Sequence, residues 1–367
     1  MMLSLIALCF ATVYFFFIFI LRLGLSRLNP CIESKLFRTS IIVAMKNEMR
    51  NVRLCMEALS HQDYPKDRLE IVIVDDGSTD GTSEILAEYQ EKFPHIKILR
   101  NDSTPIGVSS KKLALSKAIA KGTGEILLFT DADCVPPPYW VHSMIACFEP
   151  GVGFVVGFSP LIDPTDSLFG KLLLLDSVAS GIVAAGCIGL KGAATCTGRN
   201  LAYRREIFDQ VNGFDKIMYS VSGDDDLFVQ LVRKETNWKI KFSADNESIV
   251  PSYQTINFKE FFTQKRRHLS AGKYYNFKLQ IAYFLFHSAN LFIFTFFLLS
   301  TIWRQYFLLA LLLLLAKFLF DRLLFVTASK IFNVHLDKKY FLLWEFFFVA
   351  YHIIISPLSW IGKIKWK

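Results

Sequence analysis

"LLFTDADCVPPP", residues 127–138, is the stretch on which the fold turns. An apolar run stops at Asp131 and Asp133, and three prolines follow. Side chains alternate along a strand, so residues two apart share a face. Carboxylates at the carboxyl end of a buried strand stand where an open α/β sheet keeps its ligand crevice. There they can bind a divalent cation or cap the next turn, and the local sequence leaves both open.

The same pattern repeats on the amino-terminal side. "TSIIVAM" (39–45), "LEIVIVDD" (69–76), "IKILR" (96–100) and "EILLFTDAD" (125–133) are short apolar runs of the kind that form buried parallel strands. Between them "EMRNVRLCMEALSHQ", "TDGTSEILAEYQEKF" and "SSKKLALSKAIAKG" have helical spacing. Thr79 or Asp80 is the start signal of the second, and Gly122 ends the third. Repeated βα units predict an open parallel sheet with helices on both faces.

Three strand ends then carry acids or amides: Asn47-Glu48, Asp75-Asp76 and Asp131/Asp133. In such a sheet they converge on one crevice. A single strand-end Asp is usually a cap; three in order weaken that reading. An acidic crevice suits a cation, a sugar or a nucleoside, because carboxylates accept from ribose hydroxyls and uracil N–H. They also hold Mg²⁺ or Mn²⁺ for a diphosphate. No GxxxxGK[ST] and no GxGxxG is present, so ATP and NAD lose their usual support.

Composition adds a membrane. The 367 residues are 52% hydrophobic, include 35 Phe and carry a formal net charge of +8. A basic, apolar chain reads as a membrane protein, and no Lys/Arg-rich aromatic patch argues for nucleic acid. Leu3–Leu21 approaches the about 20 residues of a spanning helix, and Arg22, Arg27, Lys35 and Arg38 follow it. Residues 1–22 are therefore expected to be a retained anchor, with the amino end outside and the central domain cytoplasmic. Leu279–Ile302, Gln305–Ala328 and Tyr340–Ile361 predict two to three further helices within 279–367. In the second of these, Lys317 and Asp321 are spaced to pair. Four spans would put the carboxyl end outside, whereas its "GKIKWK" (362–367) argues for inside, so the last segment is a candidate re-entrant or interfacial element. "LLLLDSVASGIVAAGCIGL" (172–190) is read as buried or interface-facing helix and loop within the central domain. The seven cysteines are irregularly spaced with no CxxC, and are expected to be reduced, packed thiols.

"IVAMKNE", "SHQDYPKDRLEIVIVDDGSTDGT", "LLFTDADC" and "TGRNLAYRREIF" together resemble glycosyltransferase family 2. The likeness is to its membrane-bound branch, with the cellulose and hyaluronan synthases. It implies an α/β GT-A fold (nucleotide-diphospho-sugar transferase, Rossmann-like) over residues 36–275 plus transmembrane helices. It also implies a nucleotide-sugar donor (UDP by resemblance), a hexosyl transfer and Mg²⁺ or Mn²⁺. Glu48, Asp75, Asp76, Lys111 and Asp131 match nucleotide-sugar positions, although Ser110 stands where Gly often precedes the lysine. Asp133 matches the direct metal ligand, with Asp131 beside it. In "SGDDDLF" (222–228), Asp225 matches the general base and Asp224 stands where Glu is usual, the register being ambiguous by one residue. The same acids suit a helix amino-terminal cap.

Gly198, Arg199 and Asn200 resemble the acceptor-side loop. "QKRRH" (264–268) stands where processive synthases carry Gln-x-x-Arg-Trp. Gln264 and Arg267 are kept and His268 replaces the Trp, which argues against processive polymerisation. Arg266 and Arg267 would neutralise the leaving diphosphate; beside a membrane helix they also suit a topology signal. His268 is open to three readings: metal ligand, diphosphate contact or packing. The implied reaction is an inverting transfer to a lipid-linked or glycan acceptor at the membrane lipid. The alternatives are a processive synthase, a scaffold with an inactive transferase domain, and a nucleotidyltransferase, which usually brings a glycine-rich phosphate loop not seen here.

Overall fold

The computed structural model describes residues 2–101, 109–254 and 256–362. Helix α1 (Met2–Leu25) leads through a linker into β1 (Thr39–Met45), α2 (Val52–Ser60), β2 (Leu69–Asp75), α3 (Thr82–Lys92), β3 (Ile96–Arg100), α4 (Ser110–Lys121), β4 (Ile126–Phe129) and α5 (Trp140–Ile145). Next come β5 (Val152–Gly157), β6 (Leu161–Ile162), α6 (Leu168–Gly189), β7 (Leu201–Arg204), α7 (Arg205–Gln210), α8 (Asp226–Glu235), β8 (Lys239–Ser243) and β9 (Ser252–Tyr253). Four helices close the chain: α9 (Phe258–Ser270), α10 (Phe277–Ser300), α11 (Phe307–Ile331) and α12 (Phe341–Ser359).

The main sheet has the order β3-β2-β1-β4-β7-β5-β8. β1 pairs in parallel with β2 and β4, and β2 with β3, as the apolar runs predict. The sheet is not wholly parallel, however: β7 runs antiparallel to β4 and β5. Leu201 at the start of β7 pairs with Phe129 at the end of β4. Reversal therefore brings the amino end of β7, with Gly198 and Arg199 just before it, to the carboxyl edge of the parallel strands. Both sheet faces are covered. Ile41, Val43, Ile71 and Ile73 enter one core; Ile42, Val72, Val74 and Phe129 enter the other. The second core continues into the apolar helices through Tyr14, Ile18, Leu175, Ile182 and Phe325.

Among the described residues four helices are long and apolar enough to cross a membrane: α1, α6, α10 and the stretch Lys338–Ser359 that contains α12. Helix α11 is as long, but Lys317 and Asp321 interrupt it and pair at 2.8 Å, as their spacing predicts. Helix α6 is one continuous helix rather than helix and loop. Its most apolar stretch is 61% buried, against 22–28% for the other three, so protein rather than open lipid surrounds it. Backbones of α1 and α6 touch at Gly24, where a Cβ would lie 1.9 Å from the Gly186 carbonyl oxygen. The acidic residue of α6, Asp176, accepts from Tyr351 of α12 at 2.6 Å and from Lys265 of α9.

The expectation for the cysteines is corrected. Cys31 and Cys147 form a disulfide across 4.4 Å between Cα atoms; the other five cysteines are free. The linker after α1 lies along the end of α5, where the Glu33 N–H donates to the Ala146 carbonyl at 2.8 Å, and this brings the two thiols together. Spacing along the chain could not reveal a pair 116 residues apart. Cysteine usage therefore no longer argues for a reducing compartment.

Candidate active site

The loops after β1 and β2 are knitted to each other. Asn47 adopts φ +53°, a left-handed conformation that asparagine tolerates. Its N–H donates to the Ser78 hydroxyl, its side chain accepts from the Thr79 N–H, and the Glu48 N–H donates to Thr82 Oγ1, each at 2.9 Å. Glu48 accepts from the Asn51 amide at 2.8 Å. Asp75 is buried and accepts from the Ser78 N–H and the Ser83 hydroxyl, so it shapes this loop. Asp76, equally buried, accepts from Asn101 and Ser110, with Lys46 3.5 Å away.

Lys111, on the first turn of α4, ties the two distant acid groups together. Its ammonium is 3.1 Å from Asp131 and 2.9 Å from Asp224. Residues 93 apart in sequence therefore meet on one side chain, and α6 does not divide them. Burial would lower the pKa of Lys111, but Asp131, Asp224 and Asp225 outweigh it and keep the ammonium charged. Burial would raise Asp224, and the Lys111 ammonium holds it below the usual carboxylate range. Asp225 is instead pushed up by burial and by the Asp224 charge. Two adjacent carboxylates are thus driven apart, one kept ionised and the other readier to take a proton.

The three aspartates have different partners. Asp225 Oδ2 accepts the Gly198 N–H at 2.9 Å while Oδ1 accepts the Asp226 N–H at 2.7 Å, so Asp225 also caps α8. Asp226 turns away and accepts from the Tyr275 hydroxyl, next to the start of α10. Tyr275 was not foreseen, because nothing local marks it out among 13 tyrosines.

Asp131 and Asp133 offer hard oxygen donors of the type Mg²⁺ and Mn²⁺ prefer. Burial and then the Asp131 charge push Asp133 up to about 6, against the pull of Arg199. A dication would relieve that repulsion, so the pair fits one. Among the described residues no three His, Cys, Asp or Glu side chains form a complete cage. Mg²⁺ commonly needs only one or two carboxylates plus the substrate's phosphates.

Helix α9 brings "QKRRH" toward the same site. Desolvation, then the charges of Arg267, Lys265, Arg199 and Lys111, hold His268 well below the usual histidine range, although the residue keeps an exposed surface. His268 Nε2 and Arg267 Nη2 are 3.2 Å apart. Gln264 is partly buried on the same helix. Two expected site residues are placed elsewhere. Arg266 donates to the carbonyls of Leu358, at 3.0 Å, and Ile361, so it caps the end of α12 rather than facing the acids. Asn200 is fully buried: it accepts from Trp140 Nε1 at 3.0 Å and donates to the Phe158 and Ser248 carbonyls at 2.8 and 2.7 Å. Its amide, one residue before β7, is spent on these internal bonds.

Comparison with known proteins gives the family. The description "Glycosyl transferase family 2" matches residues 40–211, and "Glycosyl transferase family group 2" matches residues 126–361. The chain belongs to this glycosyltransferase family. Within the family it is similar to the probable glycosyltransferase YdaM of Bacillus subtilis, 25% identical over 274 residues that cover 68% of this chain and 63% of the relative. It is also similar to the beta-monoglucosyldiacylglycerol synthase of Synechocystis, 28% identical over 54% of this chain and 41% of that one. The chain thus spans less than two thirds of the length of these curated relatives. Its fold is that of the mannosyltransferase PcManGT from Pyrobaculum calidifontis, solved with GDP-Man and Mn²⁺. The TM-score is 0.64 at 19% identity, with 98% of each chain covered.

Proposed function

We propose that this family member is a membrane-bound, inverting hexosyltransferase that moves a sugar from a nucleotide-sugar to a lipid-linked or glycan acceptor at the cytoplasmic face. The observation that carries the reading is the Lys111 bridge between Asp131 and Asp224, with Asp225 held beside it by Gly198. Glu48, Asp75 and Asp76 would line the nucleoside end. Lys111 and Arg267 would meet the diphosphate, and Arg199 the acceptor side. Asp133 with Asp131 would hold Mg²⁺ or Mn²⁺, which when bound offsets charge on the departing nucleoside diphosphate. Asp225, with its raised pKa, would take the acceptor hydroxyl's proton as the new bond to C1 forms. Displacement by one oxygen on the face opposite the leaving group inverts the anomeric carbon and needs no protein nucleophile.

The similarity to a glucosyldiacylglycerol synthase supports a lipid acceptor. We assign residues 1–22 to the anchor, 36–275 to the transferase domain and 279–367 to the carboxyl-terminal membrane region. Both ends of α12 meet parts of the transferase side. His335, Leu336 and Asp337, just before it, line a pocket with Lys171 and Leu174, and its far end binds Arg266. That supports a last segment which returns to the catalytic side, as its basic tail suggests; residues 363–367 of that tail lie outside the described residues.

The test is nucleoside diphosphate release by detergent-purified protein with UDP-, GDP- and dTDP-sugars, Mn²⁺ or Mg²⁺, and a membrane lipid extract. Release that needs lipid and metal, and is lost in Asp225→Asn, is the expected result. A long polysaccharide product would favour the synthase reading. Release that persists in Asp225→Asn would remove the assigned base.

A further inference from the structure

Lys112 follows Lys111 on α4 but points the other way. It is fully buried, and its ammonium donates to three backbone carbonyls: Ile217 at 2.9 Å, Ser220 at 2.6 Å and Ser222 at 2.7 Å. A lysine ammonium has three donors, and all are used. The three acceptors lie on one loop, 217–223, which runs directly into Asp224 and Asp225. This loop belongs to no strand or α-helix, and its last residue, Gly223, sits at φ +92°. Ser109, at the start of the same helix, adds a bond from its hydroxyl to the Val221 carbonyl at 3.4 Å.

Burying an ammonium is unfavourable unless its hydrogen bonds and its charge are answered. Here the bonds come from one loop. The facing charges are Lys111 on its own helix and Asp224, Asp225 and Asp226 across from it. We propose that Lys112 is a positioning residue for transfer: it fixes loop 217–223 and so sets the Asp225 carboxylate against Gly198 and Asp224 against Lys111. This rests on the reading of Asp225 as the base. An apolar residue of the same length would fill the space but leave three carbonyls unanswered, and the loop would lose its only buried cation anchor among the described residues.

Burial lowers the Lys112 pKa to about 8, against the pull of the three aspartates. The charged form is therefore complete below that pH and is lost above it. An arginine at the same place stays charged.

The experiment compares wild type, Lys112→Met, Lys112→Arg and Asp225→Asn in two ways. Hydrogen exchange is followed in the ligand-free proteins. Turnover and KM are measured with UDP-glucose, UDP-N-acetylglucosamine and GDP-mannose with Mn²⁺ in lipid micelles. In Lys112→Met we expect exchange in 217–226 to rise by roughly tenfold or more while β1 and β2 stay protected. Turnover should fall about 100-fold with donor KM within about threefold, as misplacement of a reacting group does. Wild-type kcat should decline through about pH 8, and Lys112→Arg should not follow it. Unchanged exchange in Lys112→Met overturns the proposal, as does a donor KM that rises in step with the loss of turnover. Should Lys112→Met fail to fold, wild-type exchange across 217–222 as fast as that of an unstructured chain overturns it too. Full turnover in Asp225→Asn would remove the base and this inference with it. Loss in Asp225→Asn beside full turnover in Lys112→Met overturns only the role of Lys112.

Discussion

Asp225 Oδ2 accepts the backbone N–H of Gly198 at 2.9 Å, which joins the start of α8 to the loop before β7. Each carboxylate oxygen can accept a second hydrogen, so one bond per oxygen leaves room for a substrate proton. Helix cap and base are thus compatible uses of one side chain. In Asp225→Asn the amide oxygen can keep one of the two backbone bonds. We expect the variant to fold and to bind nucleotide within a few-fold of wild type, while turnover falls about 10²–10⁴-fold. Calorimetric nucleotide binding beside product release checks the split.

Gly24 and Gly186 are in backbone contact, and a Cβ on Gly189 would likewise lie 2.0 Å from the Gly24 carbonyl oxygen. Small residues let helix backbones approach this closely. Gly24→Ala forces α1 off α6 and should destabilise the protein by about 1–3 kcal/mol. Phe19→Ala, at an exposed position of the same helix, is the control. Thermal unfolding in detergent that shifts equally for both variants would refute the contact.

Lys317 is fully buried between Asp321, at 2.8 Å, and Glu345 of α12, and Tyr14 of α1 donates to Asp321 at 2.6 Å. Three helices meet on one ammonium. Lys317→Met leaves two carboxylates uncompensated and should cost about 3–5 kcal/mol, whereas replacing all three charged groups together should recover most of it. Unfolding of Lys317→Met and of the triple variant Lys317→Met/Asp321→Asn/Glu345→Gln decides this. A triple variant less stable than Lys317→Met would count against it.

Glu70 on β2 accepts from Lys97 at 2.5 Å, from the Ser40 hydroxyl at 2.6 Å and from Thr123. Burial alone would raise its pKa; the bonds from Lys97, Ser40 and Thr123 outweigh it and hold the carboxyl at about 2. The folded value lies below the unfolded one of about 4.3. Its stabilisation is therefore complete above that range and is lost as the pH falls toward about 2. Glu70→Gln should be about 1–2 kcal/mol less stable at pH 7, with the gap to wild type closing between about pH 5 and 2. Denaturant titrations across that window test it, and a gap that does not change with pH would contradict the assignment.

The amino-acid sequence alone determined the alternation of strands and helices, because a short continuous apolar run and a period-3.6 face are local properties. β1 and β3 begin and end where their apolar runs do. The acids at the ends of β1, β2 and β4 were legible for the same reason: a strand that ends in carboxylates marks the crevice edge of a parallel sheet. Spacing also announced the Lys317–Asp321 pair, since four residues is one helical turn. What joins distant segments was not legible. Only the tertiary structure decided that Lys111 bridges Asp131 and Asp224, that Cys31 meets Cys147 and that Arg266 serves α12. It alone turned β7 antiparallel, sent Asn200 inward and set Asp225, rather than its two neighbours, against the Gly198 N–H. The physical reason is common to all of these. Each depends on which partner lies opposite a side chain, and that is set by how the sheet and the apolar helices pack, over separations that no local pattern spans.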